Sequence, residues 1–204
     1  MEVEGSLPTC AMQIYLEESI SLQKWLSVWI VSFVMVWVWG IHLSEVHADS
    51  AQQQSAKQVL EKTIALAKKG YAINTEKEKI KLGSTALEVK KKFGQPDHQD
   101  SPTYYVYSKK RLEFLLEETA GIPDNQRKVV SIGTTDQRYD NITYQQVQAA
   151  LEGYQKVSET KGEDAVYVTY RVGSNFLTFD FYYDHEGQNP DTIKQVHVQK
   201  KSSL

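Results

Sequence analysis

Gly83–Asp97 reads GSTALEVKKKFGQPD and Ile142–Gly153 reads ITYQQVQAALEG. Aligned on Thr85 and Thr143, 58 residues apart, Val89 matches Val147 and Phe93 matches Leu151. Each stretch carries a capping box, Thr85 with Glu88 and Thr143 with Gln146. The threonine hydroxyl and the acidic or amide side chain three residues on each satisfy an amide that the helix start leaves unpaired. A short helix is predicted in both places. Gly94 and Pro96 end the first, and the second ends near Gly153.

Working outward, the segments after each helix also correspond. Leu112, Phe114 and Leu116 alternate as do Leu177, Phe179 and Phe181; Val130 and Ile132 alternate as do Val196 and Val198. The offset drifts to 66 through the turns, where insertions are tolerated. Strands are expected over Thr103–Lys109, Arg111–Glu117 and Lys128–Thr134, then over Ala165–Arg171, Asn175–Tyr183 and Ile193–Lys200. The expected fold is α+β, a tandem duplication of a helix-plus-three-strand unit. Its sheet is mainly antiparallel, with the helices on one face. The repeats cover residues 80–136 and 137–200 of a domain at 80–204. Residues 49–79 form a helix and a linker. The helix runs from Asp49 to Gly70, with Val59, Leu60, Ile64 and Ala67 at helical spacing, and its polar opening, AQQQSAKQ, reads as a tether.

Residues 1–48 are a separate matter. Leu26–Leu43, LSVWIVSFVMVWVWGIHL, holds no acid, lysine or arginine over 18 residues. That is near the lower limit of about 17–25 for a membrane span and longer than the roughly 7–15 of a signal-peptide core. Val46–His47–Ala48 supplies a small-x-small end for a signal peptidase. A signal peptide cleaved after Ala48 and an uncleaved N-terminal anchor both place the rest of the chain outside the cytoplasmic membrane. Membrane contact is expected only through this segment, and a start at Met12 would shorten it.

The single cysteine, Cys10, precedes the apolar run, so the domain has no thiol for a disulfide, for catalysis or for a Cys-type zinc site. Removing Lys24 and the five acids before Asp49 leaves 22 basic and 21 acidic residues. A net charge of +1 argues against a nucleic-acid binder. Two short basic runs remain, Lys90–Lys92 and Lys109–Arg111. They read as solvated surface or as a contact to an anionic cell-surface polymer.

The tandem pattern, with GSTALEVKKKFGQPD as its signature, resembles the YjgB-like family of exported Gram-positive bacterial proteins over roughly Ile80–Gln199. It is more distantly similar to the outer-membrane assembly lipoprotein BamE and to beta-lactamase inhibitory protein, which carry Gly-x-Thr-x-x-x-Val helices on antiparallel strands. The resemblance implies no assigned activity, and the two distant relatives are binding proteins. This chain lacks the disulfides of the inhibitor and the lipidated cysteine of the outer-membrane protein, so neither partner carries over.

Alternation also divides the sheet faces. In the second repeat Val166, Val168, Tyr170, Leu177, Phe179, Phe181, Val196 and Val198 point one way. Tyr167, Thr169, Arg171, Thr178, Asp180, Tyr182, Gln195 and His197 point the other. In the first repeat Tyr105, Tyr107, Glu113 and Ser131 are assigned outward. The helices can cover only one face. The other is expected to be open, polar and rich in tyrosine, which suits binding because the ring offers large area at low entropy cost. The candidate binding residues are Tyr105, Tyr107, Tyr167, Arg171, Tyr182 and His197, for a protein or cell-envelope ligand.

No catalytic residue, metal ligand or cofactor is assigned. Asp180 and His197 share the open face and could orient an imidazole, and an exported hydrolase built on such residues is the alternative function. No nucleophile motif accompanies them. DHEGQNPD at Asp184–Asp191 fails the EF-hand spacing, with Gly187 fourth and Pro190 intervening, and reads as a hairpin turn. His42, His47, His98 and His185 show no metal-ligand spacing.

Overall fold

The computed structural model describes residues 53–187 and 189–201. The apolar run Leu26–Leu43 and the Val46–Ala48 end lie outside the described residues. Among the described residues no helix is long and apolar enough to cross a membrane.

Among the described residues, three α-helices and eight strands form the fold. Helix α1 covers residues 53–68, α2 Ala86–Phe93 and α3 Tyr144–Ala150. Strands β1 to β4 are His98–Ser101, Tyr104–Tyr107, Leu112–Leu116 and Val129–Thr134. Strands β5 to β8 are Lys156–Lys161, Val166–Val172, Asn175–Tyr183 and Pro190–Lys200. They make one antiparallel sheet in the order β1-β2-β3-β4-β8-β7-β6-β5. The class is α+β, as the sequence predicts. Each half, however, holds four strands and not three. The additional strands are the two sheet edges, HQDS and KVSETK. An edge strand with no buried face carries no apolar alternation, and polar or lysine-bearing edges resist pairing with other chains.

Both capping boxes form. Thr85 Oγ1 accepts from Glu88 N while Glu88 Oε2 accepts from Thr85 N at 2.7 Å; Thr143 and Gln146 repeat this, with Thr143 N to Gln146 Oε1 at 2.9 Å. Each capping threonine also makes an isolated bridge at the start of the last strand of its half, Thr85 with Lys128 just before β4 and Thr143 with Thr192 in the first residues of β8. The two halves share a further irregularity. Leu115 faces Ser131 but Leu116 faces Val129, leaving Val130 as a bulge; Asp180 faces Gln195 but Phe181 faces Ile193, leaving Lys194 as a bulge. The bulge corrects the expected alternation at Val130: Val129 is the fully buried residue and Val130 is half-buried.

The helices cover one face. Phe93 of α2 lies 5.6 Å from the Tyr107 ring and 5.7 Å from that of Phe114. Tyr144 of α3 meets Phe181 edge-on at 5.3 Å. Asn175 Nδ2 donates to Ala67 O at the end of α1, at 2.8 Å. Thr63 on α1 shares a 2.9 Å hydrogen bond with Tyr139, which is buried just before α3. Ala56, Leu60, Ile64 and Ala67 of α1 are all buried, and the compact unit begins at residue 53. The expected domain start at 80 therefore moves back to include α1, and the described part of the polar opening is helix seated on the core rather than tether. Asp136 ties the linker down: its carboxylate accepts from Asn74 Nδ2 at 2.7 Å and from Arg138 Nε at 2.6 Å.

Tyr105 and Tyr107 are corrected by the register of β2. Tyr105 faces Phe114 and Tyr107 faces Leu112, so both tyrosines join the helix-covered core, 0% and 2% exposed. The segment YYVY carries tyrosine in both phases, and its neighbour β3 decides which phase is buried. Tyr107 meets Phe114 edge-on at 5.8 Å and donates its hydroxyl to Gly94 O at 2.9 Å. Burial, with Tyr105 and Asp97 nearby, pushes its phenol up to about 12. The same position in the second half, Tyr170, meets Phe179 edge-on at 6.5 Å. Glu113 and Ser131 do take the outer face as expected, opposite Val106 and Gln199.

Candidate functional site: the outer face of the sheet

The face opposite the helices is centred where β4 meets β8. One row of side-chain positions crosses the whole sheet: His98, Val106, Glu113, Gly133, His197, Thr178, Thr169 and Ser158 stand opposite one another in turn. At the middle, Gly133 faces His197. A Cβ at residue 133 would stand 2.8 Å from Gln195 Nε2 and 3.0 Å from both Cε1 and Nδ1 of His197. The missing side chain is what lets the imidazole and the Gln195 amide lie flat across the sheet centre.

Two hydrogen-bonded groups occupy that space. His197 Nε2 lies 3.1 Å from Asp180 Oδ2, the Asp180 side chain being 9% exposed and that of His197 22%. Asp180 Oδ1 is buried and unpartnered, so the histidine carries the hydrogen bonding of a carboxylate that burial penalises. Beside them, Glu113 Oε2 accepts from Gln195 Nε2 at 2.9 Å and from Tyr104 Oη at 2.7 Å. Thr169 and Thr178 hydroxyls share a bond of 2.9 Å. A cavity of ≈ 410 Å³ opens next to this cluster, with Ser108, Arg111, Glu113, Thr135 and Gln195 in its wall. That volume falls in the range of about 300–1,000 Å³ found for ligand pockets.

Aromatic residues flank the polar centre. Tyr167, opposite Asp180 on β6, is 39% exposed, and Tyr182, two residues beyond Asp180, is 51% exposed. Gly162 leaves room for the Tyr167 ring: a Cβ there would sit 2.6 Å from Tyr167 Cε2. Lys194, the bulge residue of β8, holds its ammonium 5.7 Å from the Tyr182 ring centre. Farther along β6, exposed Arg171 lies 5.9 Å over Phe176, which is buried on this same face. Tyr167, Arg171, Tyr182 and His197 are thus brought to one face, and Tyr105 and Tyr107 are not. The sequence reading missed Tyr104 because it gave β2 the opposite phase. Alternation placed Glu113, Asp180 and Gln195 outward, but their mutual bonding and the role of Gly133 needed the strand order. Among the described residues no group of three or more His, Cys, Asp or Glu is placed to hold a metal ion.

The comparisons with known proteins agree with this architecture. A family model described as a domain of unknown function, DUF4309, matches residues 60–199. The chain belongs to the DUF4309 family. The crystal structure of a DUF4309 family protein, YjgB, from Bacillus subtilis is similar with a TM-score of 0.55 and 18% identity, over 72% of this chain and 99% of that one. At that identity the likeness speaks to fold alone; with the family match it bears out the YjgB-like part of the resemblance drawn from GSTALEVKKKFGQPD. No curated protein matches the chain. The DUF4309 match begins at Leu60, within α1, in keeping with α1 as part of the domain.

Proposed function

We propose that this DUF4309 protein is a non-catalytic binding module of the bacterial cell surface, exported or anchored by its N-terminal segment, with the outer sheet face as its ligand surface. The observation that carries the reading is the pairing on one face of exposed, positioned tyrosines with a hydrogen-bonded polar centre. Tyr167 and Tyr182 offer rigid ring area, and Glu113, Gln195 and His197 offer directional polar contacts. Export is supported by the charge-free Leu26–Leu43 run and the Val46–His47–Ala48 end. The more distant similarity to two binding proteins points the same way.

The test is co-sedimentation of the full chain with purified cell walls and, separately, with envelope proteins. Two tyrosine hot spots worth about 2 kcal/mol each, acting even partly independently, give at least a roughly 30-fold loss of affinity in a Tyr167→Ala, Tyr182→Ala double variant. A correctly folded double variant that binds as well as the native chain contradicts the reading. The His197–Asp180 pair is the observation behind the hydrolase alternative. Turnover of peptidoglycan fragments, esters or phosphoesters that disappears in His197→Ala would establish that alternative instead.

A further inference from the structure

The fold joins the two basic runs of the sequence at one corner. Lys90, Lys91 and Lys92 form the last turn of α2, whose end at Phe93–Gly94 is fastened to Tyr107 by the 5.6 Å ring contact and the Tyr107 Oη to Gly94 O bond. Tyr107 leads directly into the three-residue 3-10 turn Ser108–Lys110, so Lys109 and Lys110 follow within three residues of the same fastening point. Lys90 places its ammonium 4.7 Å over the Tyr105 ring. Lys91, Lys92, Lys109, Lys110 and Arg111 are all exposed. None of these lysines has an ion pair among the described residues, whereas Arg127, Arg138 and Lys156 are each held by a carboxylate. Glu88, three and four residues before Lys91 and Lys92 on α2, is engaged in its capping box, and Asp97 is one charge beside Tyr107.

The turn carrying Lys109 and Lys110 ends at Arg111, which forms part of the wall of the ≈ 410 Å³ cavity together with Glu113 and Gln195. Five ammonium groups without an ion pair therefore lead to a cavity whose wall, besides Arg111, offers the Glu113 carboxylate, the Gln195 amide and the Ser108 and Thr135 hydroxyls. Ammonium and guanidinium groups recognise phosphate. A carboxylate repels phosphate but accepts from hydroxyls.

We infer that the ligand is a phosphodiester-linked polyol polymer. Its phosphates lie along Lys90–Lys92 and Lys109–Arg111, and the hydroxyls of one repeating unit enter the cavity at Glu113 and Gln195. This rests on the outer-face binding reading and names the ligand class for that face, with Lys90–Lys92 standing on the helix side of the same end of the sheet. A bilayer surface fits the corner less well, because Leu87 is the one large apolar side chain exposed on α2 and interfacial binding needs a broad apolar face.

Soluble poly(glycerol phosphate) is titrated into the full chain at about 50 and 200 mM salt. Affinity should fall steeply with salt, as counterion release requires. A Lys91→Gln, Lys92→Gln, Lys109→Gln, Lys110→Gln variant should bind at least about 10-fold more weakly with a shallower salt slope. Gln195→Ala should weaken binding with the slope unchanged. If the fourfold variant melts early, the two pairwise variants, Lys91→Gln with Lys92→Gln and Lys109→Gln with Lys110→Gln, give the same readout. Unchanged affinity in the lysine variants, no binding at 50 mM salt, or binding to anionic vesicles alone would overturn the inference. Walls stripped of phosphate polymer that still sediment the native chain, but not the tyrosine double variant, would overturn this ligand assignment and leave the outer-face reading standing.

Discussion

Replacing Gly133 by alanine tests the central crossing of the sheet. The added Cβ would lie 2.8 Å from Gln195 Nε2 and 3.0 Å from two atoms of the His197 ring. Overpacking of this kind costs about 1–3 kcal/mol. Alanine returns about 0.5–1 kcal/mol of the penalty that glycine carries in a strand. Gln195 can swing away at the loss of its bond to Glu113, roughly 1.5–3 kcal/mol for a charged acceptor. The imidazole is less free, because moving it strips Asp180 of its hydrogen bond while Oδ1 already has none. The expected net loss is about 0.5–2.5 kcal/mol, read from urea unfolding. Gly133→Ala in a Gln195→Ala background removes one of the two clashes, and the pair should couple by at least about 0.5 kcal/mol. The imidazole resonances of His197 should shift in the single variant. Native stability together with an unchanged His197 spectrum would show that the space above Gly133 is not what seats these side chains.

Two other predictions concern the core and the linker. Phe114→Ala and Phe179→Ala remove fully buried rings from opposite halves; each should cost about 3–5 kcal/mol, and calorimetry should show one transition, since two separated transitions would mean that the halves do not share a core. Burial alone would raise the Asp136 carboxyl, but the Arg138 and Asn74 hydrogen bonds outweigh it and hold it down at about 2. A depressed folded-state value means that the contribution of Asp136 is present above pH 4 and is lost as pH falls towards 2. Denaturation at pH 5, 4, 3 and 2 should show this loss in the native chain and a flatter profile in Asp136→Asn; parallel profiles would exclude Asp136 as the cause.

How much the sequence disclosed depended on whether local chemistry or strand pairing decided the outcome. Both capping boxes lie within four residues, so both short helices were legible from Thr85, Glu88, Thr143 and Gln146. The inner strands β3, β6, β7 and β8 alternate visibly because the helix-covered face of each takes the apolar residues, although Phe176, Thr178 and Asp180 are buried on the outer face of β7 as well. β1 and β5 bury neither face as a set and left no such signal. β2 failed differently: YYVY is apolar enough in either phase, and only its pairing with Phe114 and Leu112 turns Tyr105 and Tyr107 inward. The bulges at Val130 and Lys194 shift the register by one residue, which alternation alone cannot register. Of the site, the outward positions of Tyr167, Arg171, Tyr182 and His197 were readable. The contact of His197 with Gly133 and of Gln195 with Glu113 depends on β8 pairing with β4, a neighbour 64 residues away in sequence.

The most direct test of the account is to map the bound ligand on the domain by backbone amide chemical shifts, titrating soluble cell-wall fragments into the labelled protein. Shifts are predicted at Tyr167, Arg171, Tyr182, Gln195 and His197, and at Lys109–Glu113 beside the cavity, with little change in α1 and α3. Shifts confined to the helix layer, for instance in the groove formed by Ile64, Lys68, Ala150 and Tyr154, would contradict the assignment of the outer sheet face as the binding surface.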